Sequence, residues 1–332
     1  MGVIKFIDLF AGIGGLRQGM ENQGFECVFS SEFDVHAQKV YKENYGEKPY
    51  GDITLIDEKD IPDHNILLAD FPCQPFSISG KKKGFEDTRG TLFFDVLRIA
   101  AHKKPSVIVL ENVKNLIYHD NSNTLTIVVS ALEEIGYKVS WRLLNAKDFG
   151  VPQNRERIII VASKYSAFDF DKLETKPLVH LKDFLDKDGD FEYLEPNEYT
   201  LLEPEQIKVQ KSGLIFCGYL NKNQRKNGVR ENTSHLSRSH KQPYRIYSIE
   251  GTHPTISSQE TSGRFYIYNG ENVRKLTLNE CIRLMGFNEG FKLLPPTTEC
   301  YKRIGNSVCV PMIEEIAKQI KIQTFDKLRF IN

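Results

Sequence analysis

The chain lacks an excess of charge of either sign. Its 44 Lys and Arg residues balance 44 Asp and Glu residues, so the formal net charge at pH 7 is zero. This balance excludes a uniformly basic nucleic-acid-binding protein, but it is compatible with a local basic surface. The length of 332 residues, with 40% hydrophobic and 27% charged residues, is typical of a globular protein with two domains or with one domain that carries an insertion.

Long hydrophobic runs and paired metal-binding cysteines are also missing. The longest apolar runs, such as residues 158–162, are far too short to span a bilayer. Six cysteines are scattered at positions 27, 73, 217, 281, 300 and 309, and no two have the Cys-x-x-Cys spacing. A zinc-dependent cytosine deaminase needs that spacing after a proline, but Phe76 stands where the second cysteine would be. We therefore expect a cytoplasmic protein with free thiols, no metal site and no membrane association.

The first half of the chain alternates apolar strand candidates with amphipathic helix candidates. The strands are predicted at residues 5–9, 27–32, 66–69, 107–111, 138–145 and 157–162. The helices are predicted at residues 15–23, 34–44, 92–103 and 125–135. This alternation predicts an α/β fold with a doubly wound, mostly parallel sheet, whose ligands bind at the carboxyl ends of the strands. Five chemically notable residues fall at those ends: Asp8, Glu32, Asp52, Cys73 and Glu111.

The second half of the chain differs from the first in its charge distribution and in its predicted elements. Residues 221–245 carry seven Lys or Arg residues against one acid. Short strands are predicted at residues 244–248, 254–257 and 264–268, and helices at residues 278–285 and 310–320. We therefore expect a separate, smaller, β-rich domain with a basic surface.

A nucleoside pocket is indicated at the strand ends. Residues 8–19 form a strand, a glycine-rich turn and a helix, which suits an anionic group on the ligand. The dinucleotide pattern Gly-x-Gly-x-x-Gly does not fit, because Arg17 stands where its third glycine is required. Glu32 can accept ribose hydroxyls, Phe33 can stack on a base, and Asp52 can accept an adenine amino group.

Catalytic side chains are predicted on the loops that follow two other strands. Cys73 lies in the string Phe-Pro-Cys-Gln-Pro-Phe-Ser at residues 71–77, where the prolines stiffen the loop around a nucleophile. The glycine- and lysine-rich residues 80–90 suit a lid that grips phosphate. Glu111 ends an apolar strand and can act as an acid, while Arg155 and Arg157 can bind a carbonyl oxygen or phosphates.

These strings together resemble the cytosine-5 DNA methyltransferases of restriction-modification type. Six motifs occur in the family's order, at residues 8–19, 71–77, 111–113, 153–157, 274–287 and 305–308. The resemblance covers nearly the whole chain. Asp70 is a departure, because the family usually has glycine before Phe-Pro-Cys.

The resemblance implies an S-adenosylmethionine-dependent methyltransferase that forms a covalent adduct with a flipped-out cytosine. Cys73 would add to carbon 6, Glu111 would supply a proton or hydrogen bond at N3, and Arg157 would bind O2. Arg155 would support Glu111 or bind a phosphate. The implied S-adenosylmethionine-binding residues are Phe10, Ala11, Gly12, Gly14, Glu32, Phe33, Asp52, Ile53, Pro72, Leu92, Asn306 and Val308.

The implied substrate is double-stranded DNA. The DNA-binding candidates are Ser77, Lys82, Arg89, Arg225, Arg230, Arg238, Arg245 and Thr255. Residues 262–264 resemble the family's loops that reach the groove. The implied domains are a catalytic domain at 1–178, a target-recognition domain at 179–272, and a hinge with a C-terminal segment at 273–332. We also expect a monomer that acts separately from a cognate restriction endonuclease.

Three alternatives have different strengths. A tRNA cytosine-5 methyltransferase shares the fold and the catalytic motifs, and the long basic module favours duplex DNA over it. A Rossmann dehydrogenase lacks its third glycine. A DNA-binding protein without enzymatic activity would leave Cys73 and Glu111 unexplained.

Overall fold

The structure, a computed structural model, describes residues 2–72, 92–221 and 232–329. By internal contacts the chain divides into two units, each formed from separate stretches of sequence. The first unit comprises Met1–Leu144, Glu156–Glu174 and Val310–Asn332, and the second comprises Asn145–Arg155 and Thr175–Cys309. The implied functional domains at 1–178, 179–272 and 273–332 stay predictions.

The described strands and helices are numbered in chain order. The strands are β1 (Lys5–Leu9), β2 (Glu26–Ser31), β3 (Ile66–Asp70), β4 (Val107–Val113), β5 (Lys138–Asn145), β6 (Gln153–Asn154), β7 (Glu156–Ser163), β8 (Tyr199–Leu201), β9 (Phe216–Leu220), β10 (Arg245–Ser248), β11 (His253–Pro254), β12 (Tyr266–Tyr268) and β13 (Val273–Lys275). The helices are α1 (Gly15–Glu21), α2 (Val35–Tyr45), α3 (Leu92–Lys103), α4 (Asn123–Glu134), α5 (Leu278–Leu284), α6 (Thr297–Asn306), α7 (Val310–Ile320) and α8 (Lys327–Arg329), with a π-helical turn at Lys321–Asp326 before α8.

The first unit is built on a six-stranded sheet in the order β2-β1-β3-β4-β7-β5. Strands β2, β1, β3 and β4 run parallel, and β7 runs antiparallel to β4. On one face Leu67, Ile108 and Ile160 belong to a buried core that also contains α3 and α4 residues such as Phe93 and Val128. Side chains alternate between the two faces of a strand, so this core occupies one face only.

The opposite face is equally apolar. Phe6, Leu68 and Val109 alternate with the residues of the first core and are also fully buried. Helices α1 and α7 pack against each other so closely that a Cβ on Gly19 would lie 2.7 Å from the Cβ of Ile313. Helices therefore cover both faces of a mostly parallel sheet. The predicted α/β, doubly wound fold class is confirmed.

The second unit is β-rich, as predicted. Its larger sheet has five strands in the order β13-β12-β10-β9-β8, and β6 and β11 form a separate two-stranded sheet. Small apolar clusters cover the larger sheet, among them Phe216 with Tyr247 and Ile246 with Tyr266.

Several elements of the second unit differ from the sequence-based expectation, and strands β6, β8, β9 and β13 were not predicted. The strand predicted at 254–257 ends at Pro254. The next residues make individual hydrogen bonds to a side chain and a carbonyl group and do not continue the backbone pairing between strands. The Ile256 N–H donates to Gln153 Oε1 at 3.2 Å, and the Thr255 hydroxyl donates to the Asn154 carbonyl at 2.8 Å. Helix α6 was not predicted. In residues 2–72, 92–221 and 232–329, none of the helices combines the length and hydrophobicity needed to cross a bilayer.

Candidate active site

The glycine-rich turn after β1 is held in a shape that few side chains tolerate. Phe10, Gly12 and Gly14 all have positive φ, at 58°, 56° and 89°. A Cβ on Gly14 would lie 2.3 Å from the ring of Tyr45, whose hydroxyl donates to the Gly14 carbonyl at 2.7 Å. Glycine is therefore required at position 14 both for backbone conformation and for space. Tyr45 was not among the predicted residues, since only its contact with the turn reveals its importance.

Glu32 and the segment before Asp52 lie beside this turn. The Glu32 carboxylate accepts the Gly12 N–H at 2.8 Å and the Asp34 N–H at 2.7 Å. The Tyr50 carbonyl accepts the Glu32 N–H at 2.9 Å, which fixes the chain two residues before Asp52. The structure therefore brings the predicted turn and the two predicted acids to the same edge of the sheet.

The side chains at this edge differ in exposure. Phe33 is 73% exposed, so its ring is free to stack on a base. Ala11 and Ile53 are buried and support the edge from within. Asp52 is exposed, and its Oδ1 accepts from the Thr54 N–H at 3.0 Å.

A buried acid with no specific predicted role precedes the turn on β1. Asp8 is fully buried on β1, and neither of its carboxyl oxygens has a hydrogen-bond partner among the described residues. The Arg17 N–H approaches this carboxyl without hydrogen-bond geometry. Burial raises the pKa of Asp8 from 3.8 to about 8, against the positive charge of Arg17 and with help from the negative charge of Glu32.

The predicted catalytic acid, in the last part of β4, lies beside a predicted arginine at the start of β7. Glu111 is 2% exposed, and its Oε1 lies 3.0 Å from Arg157 Nε. The two atoms form an ion pair without hydrogen-bond alignment, so Oε1 accepts no hydrogen bond from any residue that the structure describes. Arg157 Nη1 also donates to the Glu156 carbonyl at 2.8 Å. The pair can present both a carboxyl oxygen and guanidinium N–H groups to a ligand.

Asn112 holds the chain that leads to Cys73. Asp70 of β3 is paired with Glu111 of β4 in the sheet register. The Asn112 Nδ2 group donates to the buried Phe71 carbonyl at 2.7 Å. This bond fixes the start of the Phe-Pro-Cys string beside the Glu111–Arg157 pair. It also gives the Asn of the Glu-Asn-Val string a structural role that the sequence alone did not reveal.

Arg155 has a different environment from the one expected. Its side chain is 1% exposed and donates to the carbonyls of Ile256 at 3.2 Å, Gly305 at 3.0 Å and Ser307. All of these partners lie in the second unit. The ion-pair partner of Glu111 is Arg157, and support of Glu111 by Arg155 stays a prediction.

Six predicted site residues lie outside the described residues: Cys73, Ser77, Lys82, Arg89, Arg225 and Arg230. The proposed lid at 80–90 also lies there. Their roles stay predictions.

The other predicted DNA-contact residues are described and belong to the second unit. Arg238 is exposed. Arg245 is half-buried, and its Nε and Nη2 groups donate to the His240 carbonyl at 3.0 and 2.7 Å. Thr255 is half-buried and bonds to Asn154. The structure therefore gives Arg245 and Thr255 local structural bonds in addition to any contact with DNA.

Four predicted cofactor residues stand apart from the turn in sequence. Pro72 is exposed directly after Phe71, and Leu92 is the half-buried first residue of α3. Asn306 is the exposed last residue of α6, and Val308 is buried two residues later. Asn306 and Val308 belong to the second unit, and their cofactor contacts stay predictions. Among the described residues, no cluster of three His, Cys, Asp or Glu side chains is arranged to hold a metal ion.

Comparisons with known proteins identify a family and several relatives that are similar to this chain. The model of a family described as C-5 cytosine-specific DNA methylase matches residues 4–322. The type II methyltransferase M.HhaI of Haemophilus parahaemolyticus is 43% identical over 329 residues, which cover 96% of this chain and 94% of that protein. The type II methyltransferase M.SsoII of Shigella sonnei is 44% identical over 333 residues, which cover 98% of this chain and 82% of that protein.

A solved structure shows the same fold. The Entamoeba histolytica methyltransferase EhMeth aligns with a TM-score of 0.69 and 18% sequence identity, covering 97% of this chain and 99% of that one. At this identity the likeness concerns the fold alone.

Proposed function

The chain belongs to the C-5 cytosine-specific DNA methylase family, and from that premise we propose how its residues carry out the reaction and on which substrate. The methyl donor is S-adenosylmethionine, and the acceptor is carbon 5 of a cytosine flipped out of a short specific duplex sequence. One observation carries the proposal: Asn112 fixes the chain before Cys73 beside the buried Glu111–Arg157 pair. A nucleophile, a proton source and an oxygen-binding cation are the groups that this chemistry requires.

The edge formed by the glycine turn, Glu32 and Phe33 fits S-adenosylmethionine. The Glu32 carboxylate has lone pairs beyond those used by the Gly12 and Asp34 N–H groups, so it can accept ribose hydroxyls. The exposed Phe33 ring offers a face to the adenine. When bound, S-adenosylmethionine supplies an electrophilic methyl group.

The side chains act on the cytosine ring. The Cys73 thiolate adds to carbon 6, and the electron pair displaced from the C5–C6 double bond makes carbon 5 nucleophilic. Glu111 donates a proton or hydrogen bond to N3, while Arg157 binds O2, so both relieve the negative charge that develops on the ring. After carbon 5 has taken the methyl group, it loses its proton to a base, and the C–S bond breaks to restore the double bond and the thiolate.

A tRNA substrate is the second candidate, because the same catalytic groups would serve it. The matched family is described as a DNA methylase, which favours duplex DNA. We further propose that the enzyme acts as a monomer and protects DNA from a separate restriction endonuclease.

Trapping with a mechanism-based substrate tests this proposal. Fluorine at carbon 5 cannot leave as a cation, so duplex DNA with 5-fluorocytosine at the target should hold Cys73 in an adduct that survives denaturing electrophoresis when S-adenosylmethionine is present. The target would first be found by bisulfite sequencing of DNA from cells that express the protein.

The controls separate chemistry from folding. Cys73→Ala should abolish the adduct and retain S-adenosylmethionine binding. Cys27→Ala should retain the adduct, because burial raises the pKa of Cys27 to about 12 and keeps that thiol protonated. Absence of the adduct in the wild type, or its survival in Cys73→Ala, contradicts the proposed mechanism, and methyl transfer to tRNA alone contradicts the proposed substrate.

A further inference from the structure

One carboxylate organises the turn at residues 257–264 of the second unit. Glu260 is 4% exposed, and its N–H donates to the Ser257 carbonyl at 3.1 Å. Its Oε1 accepts the Ser262 N–H at 2.9 Å and lies 3.4 Å from the Arg264 N–H. The buried Glu260 carboxylate therefore holds the turn together by accepting hydrogen bonds from backbone N–H groups of the same turn.

The backbone on both sides of Arg264 is fixed by packing. Gly263 has φ +67°, and a Cβ at this position would lie 2.5 Å from the ring of Tyr301. Phe265 is 5% exposed, and its ring centroid lies 5.8 Å from those of both Tyr301 and His253. Arg264 therefore projects from a chain segment that has little freedom to shift.

The guanidinium of Arg264 is held along one edge. Its Nε lies 3.0 Å and its Nη2 2.9 Å from Glu260 Oε2. Its side chain is 38% exposed, and among the described residues no hydrogen-bond partner is found for Nη1. Glu260 thus occupies the Nε–Nη2 edge and leaves the Nη1–Nη2 edge directed away from it.

Other residues of the same turn line an open pocket. Ser258, Gln259 and Thr261 of the same turn line a pocket of about 380 Å³ together with Lys302 of α6. A macromolecular ligand can therefore approach the turn.

The charge of the pair selects the kind of acceptor. The Arg264–Glu260 pair has no net charge, so its attraction for an anionic phosphate is much weaker than that of a free arginine. The two parallel N–H groups on the free edge keep their direction, and they match the neutral O6 and N7 acceptors of guanine in the major groove. Hydrogen bonding to Glu260 also raises the pKa of Arg264, so this edge stays protonated.

We propose that Arg264, positioned by Glu260, recognises one guanine of the target sequence. This inference rests on the proposed function, since it assigns a specificity role within the same reaction on DNA. Arg264 would contact the base, and Glu260 would act as a positioning residue.

The test compares variants on normal and altered duplexes. Methylome sequencing of cells that express the wild type first defines the target. Duplexes are then prepared with 7-deazaguanine at each guanine in turn, because this base lacks the N7 acceptor. Methylation rates are measured for the wild type, Arg264→Ala, Arg264→Lys and Glu260→Gln. Lys182→Ala is the control, since it removes an exposed cation paired with Glu250 elsewhere in the same unit.

At one guanine, the wild type should lose about 10- to 100-fold in rate on replacement by 7-deazaguanine. The methylation rates of Arg264→Ala and Arg264→Lys should change little when 7-deazaguanine replaces this guanine. Alanine has no donor, and lysine lacks the planar pair of donors. Glu260→Gln should show an intermediate sensitivity, and Lys182→Ala should behave as the wild type. All variants are checked for retained S-adenosylmethionine binding, so that a folding defect is recognised.

Two results would overturn the inference. If both Arg264 variants keep the full sensitivity at every guanine, Arg264 does not read a base. If Arg264→Lys restores the wild-type rate while Arg264→Ala lowers it uniformly and reduces the salt dependence, the contact is to a phosphate. A wild type that methylates no DNA would contradict the proposed function instead, and that outcome is visible before any variant is made.

Discussion

Replacing Arg157 by methionine should cost much of the stability of the first unit. The side chains of Glu111 and Arg157 are only 3% and 12% exposed, and their charged atoms lie 3.0 Å apart. Exposed ion pairs contribute about 0–1 kcal/mol, whereas removal of one partner of a buried pair costs about 3–5 kcal/mol because the other charge is left uncompensated. Since Arg157 retains slight exposure, we expect Arg157→Met to lower the free energy of unfolding by about 3 kcal/mol.

A double-mutant cycle isolates the pair. Glu111→Gln should cost about 1 kcal/mol, because Arg157 is less buried and keeps its bond to the Glu156 carbonyl. The double variant should be about 2 kcal/mol more stable than Arg157→Met alone, since no charge is then stranded.

Urea unfolding of the four proteins measures these differences. Trp141, the single tryptophan, lies half-exposed on β5 in the same sheet and reports the unfolding of the first unit by its fluorescence. All three variants should lose methyl transfer. The reasoning is refuted if the double variant is no more stable than Arg157→Met, because Glu111 would then carry no penalty when left alone.

Two further predictions concern buried charged residues. Because the fold raises the pKa of Asp8 to about 8, the wild type should lose stability relative to Asp8→Asn as pH rises from about 4 to 8. The loss should be at most about 1.4 kcal/mol per pH unit, and the difference should be constant above pH 8. Urea unfolding at pH 5, 7 and 9 measures the difference in the free energy of unfolding, and a pH-independent difference argues against the prediction. Arg155→Met leaves three carbonyl groups without their hydrogen-bond donor, so the free energy of unfolding should fall by at least about 3 kcal/mol. Arg155→Lys should recover part of this loss. A calorimetric midpoint equal to that of the wild type, together with lost activity, would point to direct catalytic support instead.

The first unit was predictable because its strands carry a strong local signal. Parallel strands covered on both faces are continuous apolar runs, such as residues 66–69 and 107–110, and these runs define the sheet. The polar residue after each run then falls at the carboxyl edge. For this reason the sequence places Glu32 correctly at the end of β2, whereas β4 continues two residues past Glu111 to Val113.

The second unit was harder to predict because its order depends on distant partners. Helix α6 follows two prolines and has few apolar residues, so its pattern is weak. Arg155 looks like a surface cation in the sequence, but its carbonyl partners lie 101–152 positions away. The turn around Glu260 likewise becomes visible only when its backbone bonds are known. Local periodicity carries none of this information.

The pairing of α1 with α7 has a consequence for how the protein is made. The Asn22 side chain, just after α1, donates to Glu314 of α7, 292 positions later. A nascent chain that leaves the ribosome therefore exposes the apolar surface of α1 until α7, about 290 residues later, has been translated. Closure of so long a loop delays productive folding. During that interval the growing chain should depend on a chaperone to avoid aggregation.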